Sequence, residues 1–229
     1  MERTNFENCE YCNRRSPIFS FLTNEELSYL NKGRYEVVYD KGETIFKKGT
    51  PIIFMASFTY GMAIICPDHH KSSLILKFVK PVDFLGVEGI VKGKVYPYSV
   101  IAIKKSALCF IDIKRFRKVM DVNKVFNTAF IRELVEANSF LLNRLSRLSF
   151  LQSPGKVADA LLYLSEDVYG SDSFTFEMPI KDIARIAGIS KESTFNMIRD
   201  FTTEGIISVS KKVIVIKNSD RLKEIAKTG

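Results

Sequence analysis

The sequence predicts an α+β chain in which an antiparallel β-roll comes first, a long helix follows, and a winged helix-turn-helix ends it. Three observations carry that reading. Short β-branched and aromatic runs crowd residues 36–103, an apolar repeat runs through residues 123–150, and residues 178–216 set out a helix, a turn, a second helix and a hairpin. The divisions that follow are 1–122 for the β domain, 123–152 for the long helix and 153–229 for the C-terminal domain.

Thr23 followed by Glu26 has the spacing of a capping box, which predicts a short helix over residues 24–30. Strand-forming runs come next at 36–39, 44–46, 52–55, 62–65, 74–78 and 98–103, separated by glycine, proline or charge. Runs this short suit a compact antiparallel barrel of the double-stranded β-helix kind.

In the long helix, Phe126, Phe130, Leu134, Ala137, Leu141, Leu145 and Leu148 recur at the three- and four-residue steps of a seam shared by two parallel helices. A single helix buried against its own barrel gives nearly the same pattern. Asn138, Asn143, Arg144 and Arg147 interrupt or flank the seam, where they could fix its register. Proline disfavours an α conformation in the residue before it, so Ser153-Pro154-Gly155 reads as a hinge. A helix over 156–168 follows, with Val157, Ala160, Leu161 and Leu164 inside and Gly170 as its stop.

Ile180, Ile183, Ala184 and Ala187 fall on one helical face, leaving Lys181, Asp182 and Arg185 for the wet side. Gly188 supplies the turn, and Ile189 plugs the angle between helices. Ser190 is a good N-cap for a second helix that begins at Lys191, buries Thr194, Met197, Ile198 and Phe201, and stops at Gly205. Lys191, Glu192, Phe195, Asn196 and Arg199 remain exposed. Two β-rich runs, 206–210 and 213–217, then flank Lys211-Lys212 as a hairpin wing. A helical hairpin of a packed core would show the same helix spacings but not the wing. Ser190, Lys191, Glu192, Phe195, Asn196, Arg199, Lys211 and Lys212 are the candidate DNA-contacting residues.

The run Asp182-Ile183-Ala184-Arg185-Ile186-Ala187-Gly188-Ile189-Ser190-Lys191-Glu192-Ser193 resembles the DNA-binding signature of the Crp/Fnr family of bacterial transcription regulators. Asp40-Lys41-Gly42-Glu43-Thr44-Ile45-Phe46-Lys47-Lys48-Gly49 is similar to that family's early β-roll, and Asp83-Phe84-Leu85-Gly86 to its later glycine turn. The likeness covers about residues 19–222. It implies a cyclic-nucleotide-binding-like sensor, a homodimer paired through the long helix, double-stranded DNA and RNA polymerase as partners, and no enzymatic activity. Regulation would be rotation of the DNA-binding domains about the hinge.

Composition agrees with that expectation. A chain of 229 residues, 46% of them hydrophobic, has room for two cores. No apolar run reaches the length of a membrane span, and the N-terminus lacks a signal-peptide core, so no membrane partner and a cytoplasmic location are expected. Four irregularly spaced cysteines fit a reducing compartment. The net charge of +8 is a weak guide, because residues 153–229 hold eleven basic and eleven acidic side chains. Local placement of lysine and arginine carries the argument instead.

Cyclic-nucleotide-binding relatives hold the ribose with a Gly-Glu-Leu turn and the phosphate with an Arg-Ser pair. Here those segments read Gly86-Val87-Glu88-Gly89 and Tyr96-Pro97-Tyr98-Ser99, so the carboxylate and guanidinium are missing and neither cyclic AMP nor cyclic GMP is expected. Phe78, Gly86, Val87, Glu88, Tyr96 and Tyr98 are the candidates for an apolar effector pocket. The effector itself is unknown.

Cys9, Cys12 and Cys109 stand near the positions of iron–sulfur ligands in oxygen-sensing relatives, which makes them candidate metal or redox residues. Residues 13–20 lack the third N-terminal cysteine, so a cluster would need Cys66 or another ligand and is not favoured. Zinc lacks a second cysteine or histidine pair. A cupin-like metalloenzyme needs several converging histidines, whereas His69 and His70 are adjacent and would point to opposite faces of a strand. A winged-helix interaction module without DNA binding, which would show an apolar docking face, is the remaining alternative.

Overall fold

The computed structural model of the chain describes residues 2–4, 12, 14–68, 74–91 and 95–228. Cys9, His69 and His70 lie outside them. Two compact units form, one from residues 1–71 and 77–139, the other from 72–76 and 140–229.

In the first unit the chain runs β1 (Glu2–Thr4), α1 (Asn24–Asn31), β2 (Tyr35–Tyr39), β3 (Thr44–Phe46), β4 (Phe54–Tyr60), β5 (Ala63–Cys66), β6 (Lys77–Val79), β7 (Phe84–Leu85), α2 (Glu88–Val91), β8 (Ser99–Ala102), β9 (Ser106–Asp112) and α3 (Ile113–Val122). Antiparallel pairing gives one sheet of order β1-β2-β9-β4-β7 and another of order β3-β8-β5-β6. Val37, Phe58, Leu85, Val100 and Leu108 pack in one apolar core of this β-roll. A second core joins Leu27 and Leu30 of α1 to Met55, Phe116 and Ile111.

The capping box of α1 forms as expected: Thr23 Oγ1 accepts from Glu26 N–H at 3.2 Å and Glu26 Oε2 from Thr23 N–H at 2.8 Å. Elements of this unit that were not expected include β9 and α3. The β9 run is buried at six of seven positions and so shows no alternation, and α3 starts where Asp112 Oδ1 accepts from Arg115 N–H at 2.9 Å. Two strands are shifted. β4 begins inside the expected 52–55 run and extends to Tyr60, because Ala56, Ser57, Phe58 and Thr59 are all buried and small polar residues mask the run. β6 is confined to Lys77–Val79; residues 74–76 are not in a strand, and Ile75 N–H donates to the Arg185 carbonyl at 2.8 Å.

Helix α4 (Lys124–Phe150) corrects the expected seam. Phe126 and Phe130 are fully buried in the second core of their own unit, with Leu134 packed against it. Ile131, Val135, Asn138, Leu142 and Leu145 are exposed and also step by four and three, while Leu141 of the expected seam is exposed as well. The sequence held two interleaved stripes, and the heavier phenylalanine one faces inward.

The second unit continues with α5 (Ser153–Leu162), a π-helical extension Tyr163–Tyr169, β10 (Ser173–Thr175), a 3-10 turn Ile180–Asp182, α6 (Ile183–Ala187), α7 (Lys191–Thr203), β11 (Ile207–Ser210), β12 (Val213–Ile216) and α8 (Ser219–Thr228). Its sheet has the order β10-β12-β11. Ser153-Pro154-Gly155 is not a linker but the first turn of α5, where proline is tolerated because its missing N–H would have no helical partner. Only Leu151 and Gln152 separate α4 from α5. Arg144 and Arg147 do not flank a seam either: both pair with Asp159 of α5, and Arg144 is 6% exposed. Among the described residues no helix is long and apolar enough to cross a membrane.

Candidate nucleic-acid interface

Helix α6 is short and ends at Gly188, whose φ of 67° is the left-handed value that lets the chain turn sharply. Its N–H returns to the Ala184 carbonyl at 2.8 Å. Ser190 then caps α7, its Oγ accepting from Ser193 N–H at 3.0 Å. Burial of Thr194, Ile198 and Phe201 fixes which face of α7 turns outward. That outward face carries Lys191, Glu192, Phe195 and Arg199, with Asn196 and Met197 half-buried at its edge.

The wing closes with a two-residue turn, since Ser210 pairs with Val213 across β11 and β12. Lys211 occupies that turn at φ 55°, a conformation costing a non-glycine residue roughly 1–2 kcal/mol. Both Lys211 and Lys212 are exposed. Arg199 lies 3.5 Å from Asp200, on the rim of the same face, and keeps most of its surface in solvent. Helix and hairpin thus offer cations and hydrogen-bonding groups with two exposed large apolar side chains, Phe195 at 67% and Val213 at 39%. This is the chemistry of phosphate contact plus base reading rather than of an apolar docking face.

The wet face expected for α6 is one departure in this unit. Arg185, read as solvent-facing, is 9% exposed, 4.0 Å from Asp182, and Ile186 beside it is fully buried. Helix α6 is covered on more than one side, so an amphipathic reading of five residues placed its wet face wrongly.

The expected effector residues do not line one open pocket. Phe78 is buried opposite Ile64, and Val87 packs into the helical core of the first unit. Gly86, Glu88, Tyr96 and Tyr98 do meet: Tyr98 OH donates to Glu88 Oε2 and accepts from Gly86 N–H, both at 3.4 Å. A Cβ on Gly86 would stand 3.0 Å from the Phe54 carbonyl and 3.2 Å from the Tyr96 ring, and its φ is 74°. Tyr96, 4% exposed, stacks on Phe46 at 4.2 Å and donates to the Phe54 carbonyl at 3.2 Å. Burial, then the Glu88 carboxylate, pushes the Tyr96 and Tyr98 hydroxyls well above their usual range. Aromatic rings fill this part of the roll.

Cys12 and Cys109 line a common cavity, with Arg34 Nη1 donating to Cys109 Sγ at 3.0 Å. The described residues supply two thiols there rather than the anchors of a cluster, and among them no group of three or more histidine, cysteine or acidic side chains is placed to hold a metal ion. Arg34, Ser57 and Thr59 of this cavity escaped the sequence reading. Their only signal was polarity within runs that are otherwise strand-like.

Residues 155–225 match the family described as "Crp-like helix-turn-helix domain", and residues 36–123 match "Cyclic nucleotide-binding domain". The chain belongs to the Crp/Fnr family. It is therefore a DNA-binding transcription regulator, not an enzyme. The chain is 25% identical over 217 residues to the "CRP-like cAMP-activated global transcriptional regulator" of Mycobacterium tuberculosis, covering 91% of this chain and 95% of the relative. Against the "cAMP-activated global transcriptional regulator CRP" of Salmonella typhimurium it is 23% identical over 159 residues, covering 68% and 76%. Solved Crp/Fnr folds are similar as well. FixK2 from Bradyrhizobium japonicum has a TM-score of 0.73 at 18% identity, covering 84% of this chain and 96% of that one. A putative crp/fnr-family regulator from Eubacterium rectale also has 0.73, at 17% identity, covering 93% and 98%.

Proposed function

We propose that this Crp/Fnr regulator works in the cytoplasm as a homodimer on partly palindromic duplex DNA. The observation that carries this is the outward face of α7, with Lys191, Glu192, Phe195 and Arg199 set beside the lysines of the wing. Ser190, Lys191, Arg199, Lys211 and Lys212 act on phosphates; Glu192 and Asn196 read base edges; and Phe195 offers apolar contact to a thymine methyl. Dimerisation uses the exposed stripe Ile131, Val135, Asn138, Leu142 and Leu145, a second copy being the occupant whose stripe complements it. RNA polymerase is the downstream partner. Selection of binding sites from random duplexes, with sedimentation of the complex, tests the reading. Two half-sites about 34 Å apart and two chains per duplex are expected. A monomer bound to a single half-site would refute it.

The signal is not a cyclic nucleotide, although relatives are named for activation by cyclic AMP. Tyr96 and Phe46 fill part of the β-roll, and the positions of the missing carboxylate and guanidinium hold Val87 and Pro97. Burying a phosphate without a paired cation costs several kcal/mol. Calorimetry with cyclic AMP and cyclic GMP is expected to show no specific heat, and micromolar binding of either would overturn this assignment.

A further inference from the structure

Within the second unit, α4, α5 with its π-helical extension, and α8 border an open cleft of about 610 Å³, inside the range of roughly 300–1,000 Å³ that small-molecule sites occupy. Its apolar wall is Phe140, Leu162, Tyr163 and Ala226, of which only Phe140 is half-buried rather than buried. The Phe140 and Tyr163 rings lie 5.5 Å apart, tilted by 42°. Its polar wall holds four cations, Arg144, Arg147, Lys223 and Lys227, against three carboxylates, Asp159, Glu166 and Asp167. Arg144 and Arg147 share one of these, Asp159, while Lys223 pairs with Glu166 at 3.0 Å. Arg147 keeps 48% of its side chain exposed, Lys227 is exposed in the last turn of α8, and the buried Nε–H of Arg144 has no acceptor among the described residues. Tyr163, Glu166 and Asp167 all come from the seven-residue π-helical stretch, a geometry that is rare in proteins and frequent at functional sites.

We propose that this cleft binds a small organic acid carrying an aromatic ring. Phe140, Asn143 and Arg147 stand at i, i+3 and i+7 of α4 and so share one face of it, which sets a ring seat about 10.5 Å along the helix axis from a guanidinium. The ligand ring packs on Phe140 against Leu162 and Ala226, and its carboxylate accepts from Arg147 and Lys227. Charge selects the sign of the guest: a monocarboxylate balances the surplus of one cation in the cleft, whereas an amine would double it. Asp159 does not satisfy this demand alone, because one carboxylate already serves two guanidinium groups. The cleft shares no residue with the outward face of α7 or with the aromatic cluster around Tyr96 and Tyr98.

The chain contains no tryptophan, so the fluorescence of an indole probe is read free of protein indole. The experiment titrates the full-length chain against indole-3-propionate and against tryptamine, an acid and an amine on the same ring. Saturable binding of indole-3-propionate with a dissociation constant at or below about 1 mM is expected, with tryptamine at least about tenfold weaker. Arg147→Gln should weaken the acid about tenfold, the loss of one charge-assisted hydrogen bond. Lys227→Gln, at an exposed position, and Phe140→Leu should each weaken it as well; circular dichroism confirms the fold of each variant. No saturation in the millimolar range, tryptamine binding as tightly as the acid, or unchanged affinity in folded Arg147→Gln and Lys227→Gln would overturn the proposal. Because the readout uses no DNA, its failure is separate from failure of the proposed dimeric DNA binding.

Discussion

The Arg144 guanidinium lies 4.5 Å above the ring of Tyr163, the first residue of the π-helical stretch that prolongs α5. Its Nη2 donates to the Ile186 carbonyl at 2.9 Å and its Nη1 faces Asp159 at 3.4 Å. One buried cation thus joins α4 to α5 and α6, with burial lowering its pKa from the ordinary arginine value.

Removing its counter-charge should therefore be felt. Asp159→Asn leaves buried Arg144 without its directly paired carboxylate and is expected to lower unfolding stability by about 3 kcal/mol, the scale of a broken buried pair. Urea unfolding of the variant measures this. Adding Arg144→Met should recover much of the loss, and a purely additive double variant would show that the two groups act independently.

The two stripes of α4 make opposite demands. Val135→Asp with Leu142→Asp should give a folded monomer that no longer binds its operator, read by sedimentation and gel shift. Phe126→Ala, in contrast, opens a hole in the first unit's core and should cost about 3–5 kcal/mol. A dimer that survives the paired aspartates would place the interface elsewhere.

Asn196→Arg should move base preference at one operator position from adenine toward guanine, by about 1–3 kcal/mol if the contact is bidentate. Site selection on both proteins checks it. Identical profiles would remove Asn196 from the reading face.

Lys211→Gly relieves a left-handed lysine and is expected to hold or raise thermal stability by up to about 1 kcal/mol. DNA affinity should nevertheless fall, with the slope of affinity against salt reduced by about one. A gain in stability without that change of slope would mean the wing does not touch phosphate.

Tyr39 is buried, and burial, with Tyr35 and Glu43 nearby, raises its pKa from 10.0 to about 12. A raised folded-state value means that the stability it brings is whole below pH 10 and lost as pH climbs toward 12. Tyr39→Phe should flatten that alkaline limb in unfolding curves. An unaltered limb would assign it to other groups.

The helix-turn-helix and wing were legible because each carries its own local chemistry: glycine at the turn, serine at the cap, and a two-residue lysine turn between apolar strands. Strand β9 was not, because a strand buried on both faces has no period to detect. The inward face of α4 was misread for a related reason. Phenylalanines outweigh valine and isoleucine in any apolar pattern, yet weight says nothing about which body covers them. Arg144 reads in the sequence as a residue flanking the seam of the long helix; its true partners, Asp159 and Tyr163, lie 15 and 19 residues on. The pairing of Arg34 with Cys109 spans 75 residues and leaves no local trace.

Asn138, alone among apolar neighbours on the outer stripe of α4, bears on who may pair with whom. In the proposed dimer two such amides satisfy each other only when both chains are level. A related regulator whose polar residue falls one turn away would bury two orphaned amides, at about 1–3 kcal/mol each. That is enough to keep hybrid dimers scarce in a cell holding several such proteins, so a single amide would act as a kin-recognition mark, keeping each regulator's operators from answering to another's signal.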